Sequence, residues 1–278
     1  MTIWNAIILG LVQGIAEFLP ISSSGHLSIL QNLFGLSTAE GGHMFFDVLL
    51  HLGTLVSVCI VYREDIRKMI RDCLELLYVM GHPNERTSRS MSGARFALMI
   101  VVGTLPLFFI LPFHNKVEEL YYHTIFIGII LILTGFMLYV SDRMIPGRKT
   151  ERTMTVVDAF LIGICQAVAT IPGLSRSGTT ITAGVACGLD RGLSVKFSFL
   201  LSIPAILGAN LLSLFKAFAN GVDWQYMPAY LIGTAVAMVT GVGAITLLKY
   251  ITNKGGFGKF CYYCWGAGFI TIILSIIL

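Results

Sequence analysis

The sequence predicts an all-α integral membrane protein, with six transmembrane helices and two re-entrant helix pairs arranged as an inverted-topology repeat. Three observations predict it. The chain is 55% hydrophobic and only 12% charged, against roughly 25% charge in ordinary soluble domains. A soluble globule of 278 residues could not keep so few charges on its surface, and disordered chains are rich in charge rather than poor in it. The apolar residues fall in runs close to the ~20 residues that cross a bilayer, and two of the longest runs are broken in the middle by similar polar segments.

Taken in chain order, the stretch at about 3–34 is apolar but interrupted by Glu17, Pro20 and the Ser22–Gly25 cluster. No basic residue precedes it and no A-x-A site follows, so it reads as part of the fold rather than a cleaved leader. A spanning run follows at 44–62, then a polar, basic segment at 63–95, then spans at 96–113 and 124–140. The second broken stretch, about 157–188, is interrupted by Pro172, Gly173 and Ser175–Gly178. Spans at 197–217, 229–248 and 260–278 close the chain. Pro and Gly interrupt the helical ladder, so each broken stretch reads as two half-helices around a polar tip. The whole of 1–278 is expected to form a single membrane domain, with repeat one at about 3–62 and repeat two at about 157–217.

Basic residues test that topology. The segments 63–95, 141–156, 189–196 and 249–259 carry 16 of the 19 Lys and Arg residues. They fall on one side if both broken stretches dip in and return, and are divided between two sides if the stretches span. The re-entrant reading therefore holds, with both termini outside. The loops at 81–90 and 249–259 then face the cytoplasm, and those at 114–122 and 219–227 face outside.

The two broken stretches also align with each other. At an offset of 153, Gly10 matches Gly163, Gln13 matches Gln166, Ser22 matches Ser175, Ser24 matches Ser177 and Gly25 matches Gly178. The first copy would enter from outside and the second from inside. Such an inverted repeat places its site at the repeat interface near the midplane.

The tips carry the chemistry. Ser22, Ser23, Ser24, Gly25 and His26 open one half-helix; Ser175, Arg176, Ser177, Gly178, Thr179 and Thr180 open the other. A helix start presents free N–H groups and the positive end of a dipole, which suits an anion. Arg176 can fork two oxygens, and the combination is phosphate-sized. Glu17 stands across the tip with Gln13 one turn earlier, able to take a proton or hold a hard divalent cation. Small-residue helix packing would explain a lone serine, but not Glu17, His26 and Arg176 at one intramembrane depth.

These residues carry a resemblance. QGIAEFLPISSSGH resembles the (E/Q)xxxE-plus-SSxGH signature of the undecaprenyl-diphosphate phosphatase family, the bacitracin-resistance type. PGLSRSGTT matches that family's PGxSRSxxT motif at every fixed position. The likeness extends to repeat architecture and overall length. It implies Glu17, Ser23, His26, Arg176 and Thr180 as site residues. Gln13 occupies a place where many members carry Glu, so a metal role for a second carboxylate there is not carried over. The family's activity would make this chain a multi-pass protein of the bacterial inner membrane. It would remove the terminal phosphate of undecaprenyl diphosphate at the outer face, using Mg²⁺ or Ca²⁺ and recycling the peptidoglycan carrier lipid. No nucleic-acid partner is expected, and a homodimer stays open.

On the residues alone, Ser23 is preferred over His26 as nucleophile, and a water activated by Glu17 or a metal remains the third option. A polyprenyl-phosphate transporter or flippase is the alternative function, because inverted repeats and broken helices also mark transporters. Type-2 phosphatidic acid phosphatases are set aside, since no His follows Arg176 anywhere in the chain. Asp47 and His51, one turn apart, either orient the tip or sit at the interface. His43, His82, His114 and His123 read as solvated. Tyr121, Tyr122, Trp224, Tyr226 and Tyr230 suit an aromatic belt. The mixed charges of Arg63–Asp72 read as a cytoplasmic face, and the lone C-x-x-C at Cys261 and Cys264 reads as packing.

Overall fold

Local chemistry sets where the helices begin. The computed structural model describes residues 1–36, 43–82, 91–145 and 147–277, except the side chains of 32, 33, 114, 115, 118, 122 and 220. Helix α1 (Ile3–Ala16) opens on Thr2, whose hydroxyl accepts the amide of Asn5. Helices α2 (Ser23–Leu33), α3 (Met44–Val61), α4 (Arg63–Gly81) and α5 (Ser92–Thr104) follow. Pro106 and Pro112 lack the N–H that an α-helix needs, so α5 continues only as 3₁₀ turns to Phe113. A short α6 (His114–Glu119) leads to α7 (Thr124–Arg143). Helix α8 (Val156–Val168) starts at a capping box, in which Thr155 and Asp158 each bind the other's backbone amide. Ser175 caps α9 (Arg176–Ala186) through the Gly178 amide, and Asp190 caps α10 (Arg191–Asn220) through Leu193. Helices α11 (Met227–Asn253) and α12 (Phe260–Ile277) complete the chain. Among the described residues there is no strand, only an isolated bridge between Lys149 and Leu189.

Among the described residues, six helical segments are long and apolar enough to cross a membrane: Met44–Val61, Ser92–Phe113, Thr124–Arg143, Arg191–Ala219, Trp224–Asn253 and Phe257–Ile277. They coincide with the six runs read from the sequence. Several extend further, because the helical ladder continues through polar flanking turns that hydropathy does not count. The protein is a multi-pass membrane protein. Large apolar side chains such as Trp4, Phe109, Phe136, Val239 and Ile273 point outward, where only lipid would leave them without a hydration cost. Inside, Phe18, Phe96, Phe197, Phe199 and Leu138 form one core around the two broken hairpins.

The hairpins are α1–α2 and α8–α9, each broken between its helices as the sequence predicts. Helix α1 packs on α11 and α8 on α5. The matched glycines sit at equivalent crossings: a Cβ on Gly10 would strike the Gly233 carbonyl, and one on Gly163 would strike the Gly103 carbonyl. The tips touch one another. Ser177 Oγ donates to the Leu19 carbonyl at 3.4 Å, and Gly178 lies against Pro20.

The four basic segments gather at one end of the molecule. Arg95 donates to the carbonyls of Glu151, Arg152 and Met154. Lys196 bridges Asp65 and Glu151, and Arg191 reaches Asp142. Lys149 binds Asp158 at 2.8 Å, and Lys249 lies 5.0 Å from the ring of Tyr62. Arg86, Arg89 and most of the 81–90 loop lie outside the described residues, as do the side chains of His114 and Tyr122.

Two expectations need correction. Tyr230 is fully buried, stacked on Phe46, and is no part of an aromatic belt. His43 is not simply solvated; its Nδ1 bonds the Tyr230 hydroxyl at 3.0 Å beside Tyr226. Beyond the mixed charges of Arg63–Asp72, helix α4 also carries Ile70, Leu74 and Leu77 as an exposed apolar stripe at helical spacing. Cys261 and Cys264 are buried and free, as packing predicts.

Candidate active site

Glu17 is the residue on which the two hairpins converge. It caps the C-terminus of α1 and is only 6% exposed. A carboxylate buried to that extent must be paired and hydrogen-bonded, and both its oxygens are used. Oε1 pairs with Arg176 Nη2 from the other hairpin. Oε2 accepts from Ser23 Oγ at 2.6 Å and from Gln13 Nε2 at 3.1 Å, with His51 Nε2 4.0 Å away. Four elements thus meet on one carboxylate: α1, α2, α3 and α9.

The turn between α1 and α2 makes this geometry. Ser22 is the one non-glycine described with positive φ, at 68°. That left-handed residue reverses the chain in five residues after Glu17, and so brings Ser23 back onto the carboxylate. Ser22 also accepts from the Gly25 amide and lies 3.3 Å from Ser24 Oγ.

The group lies at the inner end of a cavity of about 800 Å³. Glu17, Ser22, Ser23, Ser24 and Arg176 line that end, together with Gln166 and Thr170. The walls are largely apolar: Leu107, Phe108, Ile110, Leu111 and Val117 on one side, and Pro204, Ala205, Ile206, Leu211 and Leu212 of α10 on the other. Met44, Asp47 and Tyr121 reach it from the end opposite the basic cluster. Arg176 Nη1 is buried without a hydrogen-bond partner, so one arm of the guanidinium fork holds Glu17 and the other is uncommitted.

Several residues proposed from the sequence sit elsewhere. His26 points away from the cavity: Nδ1 donates to the Ser22 carbonyl at 2.8 Å, and Nε2 lies 2.7 Å from the Tyr263 hydroxyl of α12. Ser175, Ser177, Gly178, Thr179 and Thr180 form the buried hydrogen-bonded start of α9. Thr180 Oγ1 bonds Ser198 Oγ at 2.5 Å, and Thr179 Oγ1 bonds the Ser175 carbonyl at 2.7 Å. They set the position of Arg176 without lining the cavity. Gly25 packs against Ile127 of α7.

One cavity residue, Gln166, has no site role assigned from the sequence. Gln166 is 1% exposed, and neither atom of its amide has a partner. The signal was present, because Gln166 is the repeat mate of Gln13. Asp47 is held by Gln31 Nε2 at 2.6 Å rather than touching the tip.

For a divalent cation, Gln13 Oε1 is buried without a partner, while both Glu17 oxygens are committed to Arg176, Ser23 and Gln13 and would exchange such contacts for the ion. Among the described residues, no group of three His, Cys, Asp or Glu side chains stands ready to hold an ion. Two oxygen donors fit a hard cation that takes its remaining ligands from substrate phosphates and water.

The family model described as bacitracin resistance protein BacA matches residues 6–270. The chain belongs to this family. Among its relatives, the undecaprenyl-diphosphatase of Desulforapulum autotrophicum is 38% identical over 280 residues, covering all of both chains. Those of Desulfosudis oleivorans and Carboxydothermus hydrogenoformans are each 39% identical, covering 96% and 99% of this chain and 97% and 98% of their own. BacA-family membership thus extends over the hairpins, the cavity and the basic end alike.

Proposed function

We propose that this BacA-family chain hydrolyses undecaprenyl diphosphate to undecaprenyl phosphate and inorganic phosphate. The observation that carries the reading is Ser23 Oγ held 2.6 Å from Glu17 Oε2, at the polar end of a long apolar cavity and beside Arg176. A transport site needs a phosphate cradle, but not a hydroxyl placed on a carboxylate. The relatives named undecaprenyl-diphosphatase support the same substrate.

The cavity walls accept the isoprenoid, and the diphosphate reaches the tip. Arg176 Nη1 pairs with the terminal phosphate while Nη2 keeps Glu17 in place, so one guanidinium aligns base and substrate. Ser23 attacks the terminal phosphorus as Glu17 removes its proton, and the prenyl phosphate leaves. Water then attacks the phosphoserine, with Glu17 again the base. His26, fixed by Ser22 and Tyr263, orients the start of α2. Glu17 and Gln13 would hold Mg²⁺ or Ca²⁺, which supplies neutralisation of phosphate charge.

The basic end faces the cytoplasm, following the positive-inside rule. The cavity mouth then faces outward across the inner membrane, which suits a carrier lipid returning after use. The two hairpins are re-entrant and related by inverted topology. The equivalent crossings of Gly10 and Gly163 support this.

The experiment is phosphate release from undecaprenyl diphosphate by the purified full-length protein, with and without chelator. Release above a Glu17→Gln control is the expected outcome. Absence of release in both conditions, with a folded protein, refutes the reading.

A further inference from the structure

Helix α8 borders the cavity with one face. Gln166, Ala169 and Thr170, spaced i, i+3 and i+4, all line it, as does Arg176 at the start of α9. Gln166 is fully buried, and neither atom of its amide has a hydrogen-bond partner. Because both atoms are free, this holds whichever way the amide is turned. A buried amide left unpaired costs stability, and such a group calls for an occupant, either an ordered water or a ligand.

The repeat explains why the amide is free. Its counterpart Gln13 donates to Glu17 one turn later. In the second hairpin the residue one turn after Gln166 is Thr170, whose Oγ1 donates to the Ala167 carbonyl at 2.8 Å. That hairpin keeps the amide and lacks the carboxylate that would engage it. Arg176 Nη1 is likewise buried without a partner. Two unclaimed N–H donor groups from one hairpin suit an anionic ligand better than a water.

The fold indicates which anion. Helix α8 packs on α5 and on the 3₁₀ turns that continue it, and those turns supply Leu107, Phe108, Ile110 and Leu111 of the apolar wall. Helix α8 therefore joins the polar tip to the wall that takes the isoprenoid. A diphosphate with its terminal phosphorus at Ser23 has its inner, prenyl-bearing phosphate in that interval.

We propose that Gln166 binds the inner phosphate of the diphosphate, donating from Nε2 to its oxygens. This rests on the phosphatase reading above. In the displacement, the Ser23 Oγ–P bond forms, the serine proton passes to Glu17, and the bond from the terminal phosphorus to the bridging oxygen breaks. The electron pair stays on the bridging oxygen, so the inner phosphate gains charge as it leaves. A donor fixed on that phosphate stabilises the transition state more than the bound substrate. The same contact holds the product, undecaprenyl phosphate, which carries the inner phosphate and no terminal one.

The test compares full-length wild type, Gln166→Leu and Gln166→Glu in detergent, by phosphate release, equilibrium binding of labelled undecaprenyl phosphate and thermal melting. For Gln166→Leu, kcat/KM on undecaprenyl diphosphate should fall at least about tenfold. Its Kd for undecaprenyl phosphate should rise at least about fivefold. Its melting temperature should stay at or above that of wild type, because an unpartnered buried amide is replaced by an apolar side chain of similar volume. Gln166→Glu should lose more in both rate and binding, since its carboxylate repels phosphate. It carries the same comparison if Gln166→Leu fails to fold. A merely structural amide would lower the melting temperature and leave the Kd unchanged. Wild-type kcat/KM or an unchanged Kd in Gln166→Leu overturns the subsite and leaves the phosphatase reading intact. If wild type releases no phosphate, the phosphatase reading falls and the binding comparison still decides the subsite. Weaker binding by Gln166→Leu then supports it, and equal binding, or none by wild type, overturns it.

Discussion

Replacing Arg176 by Lys keeps the positive charge and removes the fork. The guanidinium is shared: Nη2 is on Glu17 Oε1, and Nη1 is buried without a partner. An ammonium on a flexible stem is a point donor and cannot hold both groups in one plane. Whichever contact the substituted lysine keeps, the other charge-assisted hydrogen bond is lost. Such a bond contributes ~1.5–3 kcal/mol, and each 1.36 kcal/mol is tenfold in rate. The expected fall in kcat/KM is therefore about 10- to 150-fold. The loss should appear mainly in kcat if Nη1 serves the transition state more than bound substrate. The assay is initial-rate phosphate release in detergent micelles, with a thermal melt to show that the fold survives. Because a lysine still offsets the buried Glu17 charge, Arg176→Lys should melt close to wild type. Arg176→Ala should lose ~3–5 kcal/mol of stability through an uncompensated carboxylate. Arg176→Lys turnover within twofold of wild type would refute the two-armed clamp.

Glu17→Gln should abolish turnover while a non-hydrolysable diphosphate analogue still binds; retained turnover would remove Glu17 as the base. Quenching a reaction with labelled terminal phosphate should trap an acid-stable adduct at Ser23, whereas an acid-labile, base-stable adduct at His26 would transfer the nucleophile role. A single Cys replacing Thr150, in a background without other cysteines, should resist an impermeant reagent in intact cells. Its labelling would invert the topology. Gly163→Val should destabilise by ~1–3 kcal/mol through overpacking against Gly103, with Gly10→Val matching it at Gly233; a large difference between them would argue against equivalent hairpins. Burial alone would raise the pKa of Asp158, but the hydrogen bonds from Lys149 and Thr155 hold it below the usual carboxylate value. Its contribution to stability is then present above about pH 4 and lost as pH falls through the lowered value. Asp158→Asn should flatten that acid loss in a melting series.

Gln166 shows how far a repeat can be read and where the reading stops. The alignment placed it opposite Gln13, yet gave it no task, because its unpartnered amide becomes visible only once the α8 neighbours are known. His26 shows the reverse. Its motif put it at the tip, and the rotation of α2 turned it to Tyr263.

The sequence by itself determined the membrane class, the six spans, the two breaks and the one-sided charge. These depend on hydropathy, on Pro and Gly, and on residue counts, all of which act locally or additively along the chain. It also supplied Glu17, Ser23 and Arg176 as candidate partners. Only the tertiary structure decided that they share one carboxylate, because the left-handed Ser22 and the contact between hairpins about 150 residues apart set that meeting. The His51 approach, the uncommitted arm of Arg176 and the buried position of Tyr230 likewise depend on helix rotation and packing. Those are fixed by the sum of many weak long-range contacts, which no single segment encodes.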